Sequence, residues 1–269
     1  ELYGLHISPD LDTVMYTLAG MVNGATGWGV HEDTFDCLDM LGRYGEDTWF
    51  QLGDRDLATH IRRTHLLRQG LSLSEVTWRL SDALGVRVRL LPMSNEAVRT
   101  EIVTADGVLA FQDYFVRRRQ EDEVRAVRFI GVEAARPSPG VIEEIETSDT
   151  VLIAPSNPFV SVGPILAIEG ICPILQRRRD RVVAISPIIG GATVKGPADR
   201  MLRSMGHESS ALGVARIYQD VVGTLVIDEL DADLAPSIRA LGMQVVVAQT
   251  LMTDLAAKRR LAEIALLSV

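Results

Sequence analysis

The sequence has 269 residues, a net charge of −9, 47% hydrophobic residues and only 5% aromatic ones. That is enough chain for one large α/β domain with an aliphatic core. The acidic balance argues against a nucleic-acid binder built on a basic face, but a nucleotide phosphate needs only local groups.

Two cysteines, Cys37 and Cys172, are too few for a disulfide framework and lack metal-ligand spacing, so buried free thiols are expected. No apolar stretch approaches the roughly 18 residues that span a bilayer. There is also no basic-then-apolar leader. A cytoplasmic protein with no membrane and no nucleic-acid partner is expected.

From Asp10 the pattern is helical, and about 14–85 reads as a helical subdomain. Leu57, Ile61 and Thr64 make a stripe on one helix. Ser72-x-x-Glu75 is a capping box ahead of Val76, Leu80 and Leu84, with Gly85 as the stop. Residues from about 86 to 130 are strand-rich. Val86, Val88 and Leu90 alternate with arginines, Asp106-Gly107 marks a hairpin turn, and Val127 and Phe129 suggest another strand. The Arg117–Arg119 run reads as a solvated strand end.

After Pro137 the chain alternates: a helix at 141–147, an apolar strand from Val151, a helix near Pro164–Arg177 and a strand from Val182. Helices near Pro197–Met205 and Ser209–Val222 follow, then a strand at Thr224–Asp228, a short helix, a strand from Val245 and a closing helix at Leu255–Leu267. Apolar runs rich in Val and Ile are strands of a parallel sheet covered on both faces. The expectation is one α/β domain over 1–269, a doubly wound, mostly parallel, Rossmann-like three-layer sheet, with the helical subdomain and a short antiparallel hairpin section. Ligands of such sheets bind outside the carboxyl ends of the strands. Ser156, Asn157, Ser186, Gly190, Gly191, Thr253 and Asp254 should therefore gather at one edge.

Asp10 and Asp12, with Thr13 beside them, present two carboxylates and a hydroxyl at a helix start. Such a group can hold Mg2+ or merely cap the helix. Asp54, Arg55, Asp56 and His60 cluster at another helix start, with Asp56 and His60 on one face. Asp54 would cap that helix, and His60 is either solvated or a general base. Ser186-Pro-Ile-Ile-Gly-Gly191 followed by Lys195-Gly-Pro-Ala-Asp199 has glycines that admit a phosphate, a point charge and a helix N-terminus. The amide of Asn157 could read a purine edge. Thr253-Asp254 looks like an N-cap. His6, His31, His65 and His207 show no ligand spacing.

The segments Pro-Asp-Leu-Asp-Thr, Gly-Asp-Arg-Asp-Leu-Ala-Thr-His-x-x-Arg-Thr, Ala-Pro-Ser-Asn-Pro, Ser-Pro-Ile-Ile-Gly-Gly with Lys-Gly-Pro-Ala-Asp, and Leu-Met-Thr-Asp, in that order, resemble the 2-phospho-L-lactate transferase family of coenzyme F-420 biosynthesis. The resemblance implies a Mg2+-dependent phosphotransferase of the EC 2.7.8 class. Such an enzyme moves a 2-phospholactyl or phosphoenolpyruvyl group from a guanosine diphosphate-linked donor (LPPG in the lactyl case) to the ribityl hydroxyl of the deazaflavin Fo, and GMP leaves. It implies Asp10 and Asp12 as catalytic and metal-holding. Ser156, Asn157, Ser186, Gly190, Gly191 and Lys195 would bind the donor. Thr13, Asp54, Arg55 and His60 would bind Fo. Asp12→Asn should then lower turnover far more than stability.

Family members open with a strand, a Gly-Gly-x-Gly-Gly loop and an Asn-x-Gly-Asp-Asp segment, and none of these precedes Asp10. The phosphate cradle and one metal ligand are therefore expected to be absent from this sequence, which is either given without its true start or a fragment with an incomplete site. A homodimer is the default for such enzymes. The alternative from another class is a non-catalytic, nucleotide-sugar-binding regulator resembling the gluconeogenesis factor.

Overall fold

Local helix signals in the first 95 residues build the first of two compact units, Glu1–Asn95 and Glu96–Val269, in a computed structural model that describes residues 2–269. The first unit carries α1 (Pro9–Leu18), α2 (Asp36–Arg43), α3 (Asp54–Arg68) and α4 (Leu73–Ala83). The capping box of α4 forms as its spacing predicts: the Ser72 hydroxyl accepts from the Glu75 N–H, and the Glu75 carboxylate accepts from the Ser72 N–H at 2.8 Å. The core of this unit gathers Met15, Tyr16 and Val30 against Leu80, Leu84, Val86 and Leu90.

Two expectations fail here. Val86, Val88 and Leu90 do not form a strand; the first strand among the described residues is Arg99–Val103. Val86 instead donates to the Ser81 carbonyl as the chain leaves α4, and no neighbouring strand takes up the rest of the segment. Of the three, only Val86 and Leu90 pack toward the core, while Val88 is exposed. On α3, Ile61 is exposed, and the buried face is His60, Arg63, Thr64 and Leu66. A helix whose inward face is mostly polar must satisfy those groups internally.

The second unit begins with an antiparallel sheet in the order β2–β1–β3, from β1 (Arg99–Val103), β2 (Val108–Ala110) and β3 (Ala126–Ile130). The turn between β1 and β2 falls at Asp106-Gly107, with Gly107 at φ +139°. Behind the sheet, Ile102, Tyr114, Val124, Val160 and Met201 form a core. The arginines at 117–119 are exposed as predicted. Arg117 closes a π-helical turn (Asp113–Arg117) rather than a strand, and Arg118 after it grips Asp122 at 2.7 and 2.5 Å.

The remainder alternates α5 (Val141–Thr147), β4 (Val151–Ile153), α6 (Gly163–Ala167), α7 (Ile171–Arg177), β5 (Val182–Ile185), the short strands β6 (Ile188–Ile189) and β7 (Ala192–Thr193), α8 (Ala198–Ser204), α9 (Ala211–Tyr218), β8 (Thr224–Asp228), α10 (Ala235–Arg239), β9 (Gln244–Ala248) and α11 (Leu255–Leu266). The helix expected over 164–177 is two helices, broken where Gly170 takes φ +94°. β4, β5, β8 and β9 pair in that order, all parallel. Every residue of β5 and β8 is buried, as a sheet covered on both faces requires. Leu261 and Ala265 of α11 pack on Val183, Ile185 and Val226. No single helix among the described residues is long and apolar enough to cross a membrane.

Gly223 opens β8 where the chain passes the carbonyl of Arg179. A Cβ there would sit 2.2 Å from that oxygen, a backbone atom that cannot swing aside. Gly223→Ala is therefore expected to destabilise by about 1–3 kcal/mol, the usual cost of forcing atoms into a packed site. Chemical denaturation would check it; a midpoint equal to the parent's would contradict the clash.

Candidate functional site

Pro9 opens α1 at a position where its missing N–H costs nothing, and Asp10 and Asp12 in the first turn favour the helix dipole. The two carboxylates face different surroundings. Asp10 is exposed, whereas Asp12 is 3% exposed. Arg63, itself 1% exposed, takes both oxygens of Asp12 in a bidentate pair, one of its contacts being Nη1 to Oδ2 at 3.1 Å. Burial pushes the Asp12 carboxyl up, and the Arg63 guanidinium pulls it back without cancelling the effect. Asp10 is also raised, first by loss of solvation on its protein side and then by the charge of Asp12.

His60, 1% exposed, completes a polar seam between α1 and α3. Its Nδ1 lies 3.1 Å from Arg63 Nη1 and 3.6 Å from Asp12 Oδ2. Its Nε2 lies 3.2 Å from Asp56 Oδ1, off the line of a normal hydrogen bond. The Tyr16 hydroxyl donates to the same Asp56 oxygen at 2.8 Å. Burial, then the Asp56 charge, raise the Tyr16 phenol far above its ordinary range. Asp12 and Tyr16 are four apart on α1, and Asp56, His60 and Arg63 span two turns of α3, so each set shares a helix face. The segment before α1 is tied to α3 as well, since the His6 N–H donates to Thr64 Oγ1 at 2.8 Å.

His60 is thus neither solvated nor displayed. Asp54 does not cap its own helix. Gly53 stands at that N-cap, and the carboxylate of Asp54 accepts from Thr34 Oγ1 at 2.6 Å and from the N–H groups of Asp36 and Cys37 at 3.1 and 3.0 Å. It caps α2. In return Asp33 accepts from the N–H groups of Arg55 and Asp56 at 2.8 and 3.1 Å and caps α3. The Thr34 hydroxyl, then the two N–H groups, hold the Asp54 carboxyl below the usual range. Arg55 is exposed and donates to the His31 carbonyl at 3.1 Å. Thr13 is half-buried, one residue on from Asp12. Cys37 is exposed and Cys172 half-buried; both are free thiols, so the expected burial of Cys37 fails, its side chain facing outward from the first turn of α2.

Asp12, Asp56 and His60 each offer a ligand atom, and those atoms lie within 4.8 Å of one another, so the group could hold a metal ion. Its donors suit Mg2+ poorly. That ion wants oxygen ligands in near-octahedral array, whereas here one donor is a ring nitrogen and both oxygens of Asp12 already face Arg63. Asp10 suits it better. Its carboxylate reaches solvent, and a cation would relieve its proximity to Asp12.

In the second unit the parallel register brings the loops after β4, β5, β8 and β9 to one edge of the sheet. Ser156, Asn157, Ser186, Gly190, Gly191, Thr253 and Asp254 lie in those loops, but several are occupied locally. Asn157 Oδ1 accepts from the Phe159 and Val160 N–H groups, and its Nδ2 faces Met201 Sδ at 3.3 Å. The buried Ser186 hydroxyl donates to the Ile188 carbonyl and accepts from the Ile188 N–H. Gly190 and Gly191, at φ +56° and +84°, turn the tight hairpin between β6 and β7, and the Gly190 N–H is taken by Asp231. Asp254 caps α11 through the Ala257 N–H at 2.7 Å.

Lys195 is exposed. The helix after it, α8, starts at Ala198 rather than Pro197, and Asp199 in its first turn engages Thr193 and Arg203 at 2.9 and 2.7 Å. Burial alone would raise the Asp199 carboxyl, but those partners hold it below its usual value. A fixed negative charge therefore stands where an anion was expected. Ser156 is half-buried and its hydroxyl takes no hydrogen bond among the described residues, and Thr253 is exposed.

Sequence reasoning missed Arg63, Tyr16 and Asp33, and in this edge it missed Asp228. The Asp228 carboxylate closes β8 and accepts from the Leu230 N–H and from both the N–H and hydroxyl of Thr250. Those bonds outweigh the effect of burial and lower it. Asp228 lines a cavity of about 410 Å³ with Thr193, Val194, Leu230, Gln249 and Leu251.

A family model described as 2-phospho-L-lactate transferase CofD matches residues 1–257. A 2-phospho-L-lactate transferase of Methanosarcina mazei is 42% identical over 258 residues, which cover 96% of this chain and 84% of that protein. A phosphoenolpyruvate transferase of Streptomyces coelicolor is 44% identical over 272 residues, covering 99% of this chain and 85% of that one. Among solved structures, a UPF0052-family protein of Bacillus halodurans has the same fold, with a TM-score of 0.61 at 15% identity over 93% of this chain and 81% of that one.

Proposed function

The chain belongs to the CofD family of 2-phospho-L-lactate transferases, and from that premise we propose that it transfers a 2-phospholactyl or phosphoenolpyruvyl group from a guanosine diphosphate-linked donor to the ribityl hydroxyl of the deazaflavin Fo. The new bond joins the ribityl oxygen to the phosphorus that carries the acid. The bridging P–O bond of the diphosphate breaks, GMP leaves with its electron pair, and the hydroxyl gives up its proton. The observation that carries the reading is a family match running almost the whole length of the chain.

Such a transfer needs alignment and neutralised charge more than covalent help from the protein. Mg2+, when bound with the diphosphate, would neutralise charge on the phosphoryl oxygens. Asp10 is the carboxylate we assign to hold it, since it alone of the two acids of α1 reaches solvent. Asp12 supports it from below through Arg63. Arg55, exposed and planar, suits a deazaflavin ring or an acidic group. Lys195 and Ser156 stay with the donor, one as a mobile point charge and the other as a free hydroxyl. Asn157 and Ser186 serve the same segments by shaping their turns.

The test is direct. Supplying Fo, the guanylylated phospho-acid and Mg2+ should yield GMP and a phosphorylated deazaflavin in equal amounts. Absence of both products, with protein that melts cooperatively, would falsify the assignment.

A further inference from the structure

The polar seam between α1 and α3 carries more than the transfer reaction uses. A guanidinium can only donate hydrogen bonds, so the 3.1 Å contact between Arg63 Nη1 and His60 Nδ1 makes that ring nitrogen an acceptor. The proton of the neutral ring then sits on Nε2, which faces Asp56 Oδ1 at 3.2 Å. A metal at Nε2 would have to displace that proton, and one at Nδ1 would have to displace Arg63. Both oxygens of Asp12 are likewise committed to Arg63. Asp12 and His60 Nδ1 are therefore already engaged by Arg63, and Asp56 by Tyr16, while His60 Nε2 lies close to Asp56 without a well-aligned hydrogen bond.

We propose that Arg63 is a positioning residue: it replaces a cation as the internal partner of Asp12 and locks His60 in the Nε2–H tautomer, so that Tyr16, Asp56, His60, Arg63 and Asp12 hold α1 in one register on α3 and present Asp10 in one orientation. The last clause rests on the proposed role of Asp10; the tautomer and the absence of metal do not. All five side chains but Asp56 are nearly inaccessible, at 3% exposure or less. The frame has geometry that an apolar contact would lack, because a bidentate pair fixes both angle and distance.

The experiment reads ring nitrogens in 15N-histidine-labelled protein without substrate, before and after adding Mg2+ and then Zn2+. His60 should show an unprotonated Nδ1 and a protonated Nε2, and neither signal should move with either ion. A proton on Nδ1, or a shift of the His60 nitrogens with Zn2+, would overturn the proposal. Because no substrate is present, this outcome is independent of whether the transfer reaction occurs.

The kinetic arm compares Arg63→Lys and Arg63→Met at matched folded fraction. The methionine variant should lose about 10–100-fold in kcat with little change in KM, as expected when the frame that orients a group acting in the transition state is loosened while ground-state binding is untouched. Lysine should restore part of it. Full activity in Arg63→Met would remove the positioning role.

Discussion

Asp12→Ala is expected to lower stability by about 3–5 kcal/mol, the loss seen when one partner of a buried ion pair is removed and the other is left charged in a dry site. Arg63 is 1% exposed, and its guanidinium would keep only His60 Nδ1 and the His6 carbonyl as acceptors, with the carboxylate that balanced its charge gone. For a protein of this length the fall in Tm should be on the order of 10 °C. Asp12→Leu combined with Arg63→Met should recover most of the loss, since replacing both members of a buried pair by apolar groups is often neutral or better. A scanning calorimeter decides between the readings. If Asp12→Ala melts with the parent, the pair contributes nothing and the seam has been misread. A loss of the expected size would reverse the expectation drawn from sequence that changing Asp12 lowers turnover far more than stability.

Asp10→Asn should behave in the opposite way. Its carboxylate reaches solvent and has no internal partner to strand among the described residues. Its carboxyl is raised in the folded protein, so the ionised form is unfavourable above its folded pKa and the penalty disappears as pH falls below the unfolded value. Removing the charge should leave Tm at neutral pH unchanged or slightly higher. Turnover should fall by roughly 10²–10³-fold, the scale of losing one electrostatic contribution to a charged transition state. The Mg2+ concentration needed for half-maximal rate should rise as well. Steady-state rates across a Mg2+ series supply the check, and unchanged rates would shift the metal role away from Asp10.

Legibility in the sequence followed the range of the interaction. The parallel strands from 151, 182 and 245 were readable as continuous apolar runs, although only the central β5 and β8 are buried throughout, while β4 and β9 at the sheet edges stay partly exposed. The capping box at Ser72 was readable because both its bonds close within four residues. Arg63 was not, because a charged residue on a helix reads as solvated and its partner Asp12 is 51 positions away. The sequence identified a carboxylate cluster at Asp54 but assigned it to the wrong helix start, since local pattern cannot tell which N–H groups a side chain will reach. Asn157 and Ser186 taught a related lesson: polar side chains in tight loops often serve their own backbone first. Asp228 sat in plain view as the last residue of a strand, yet only pairing in the sheet brings Thr250 to it.

The exchanged caps of α2 and α3 have a consequence for anyone recombining this protein with its relatives. Asp33 lies ahead of α2 and serves α3, while Asp54 opens α3 and serves α2. A chimera whose junction falls between the two acids inherits one donor set from each parent and risks matching neither. Crossovers placed before residue 31 or after residue 56 would carry the reciprocal arrangement intact, so the shuffling tolerance of this stretch should drop sharply inside those borders.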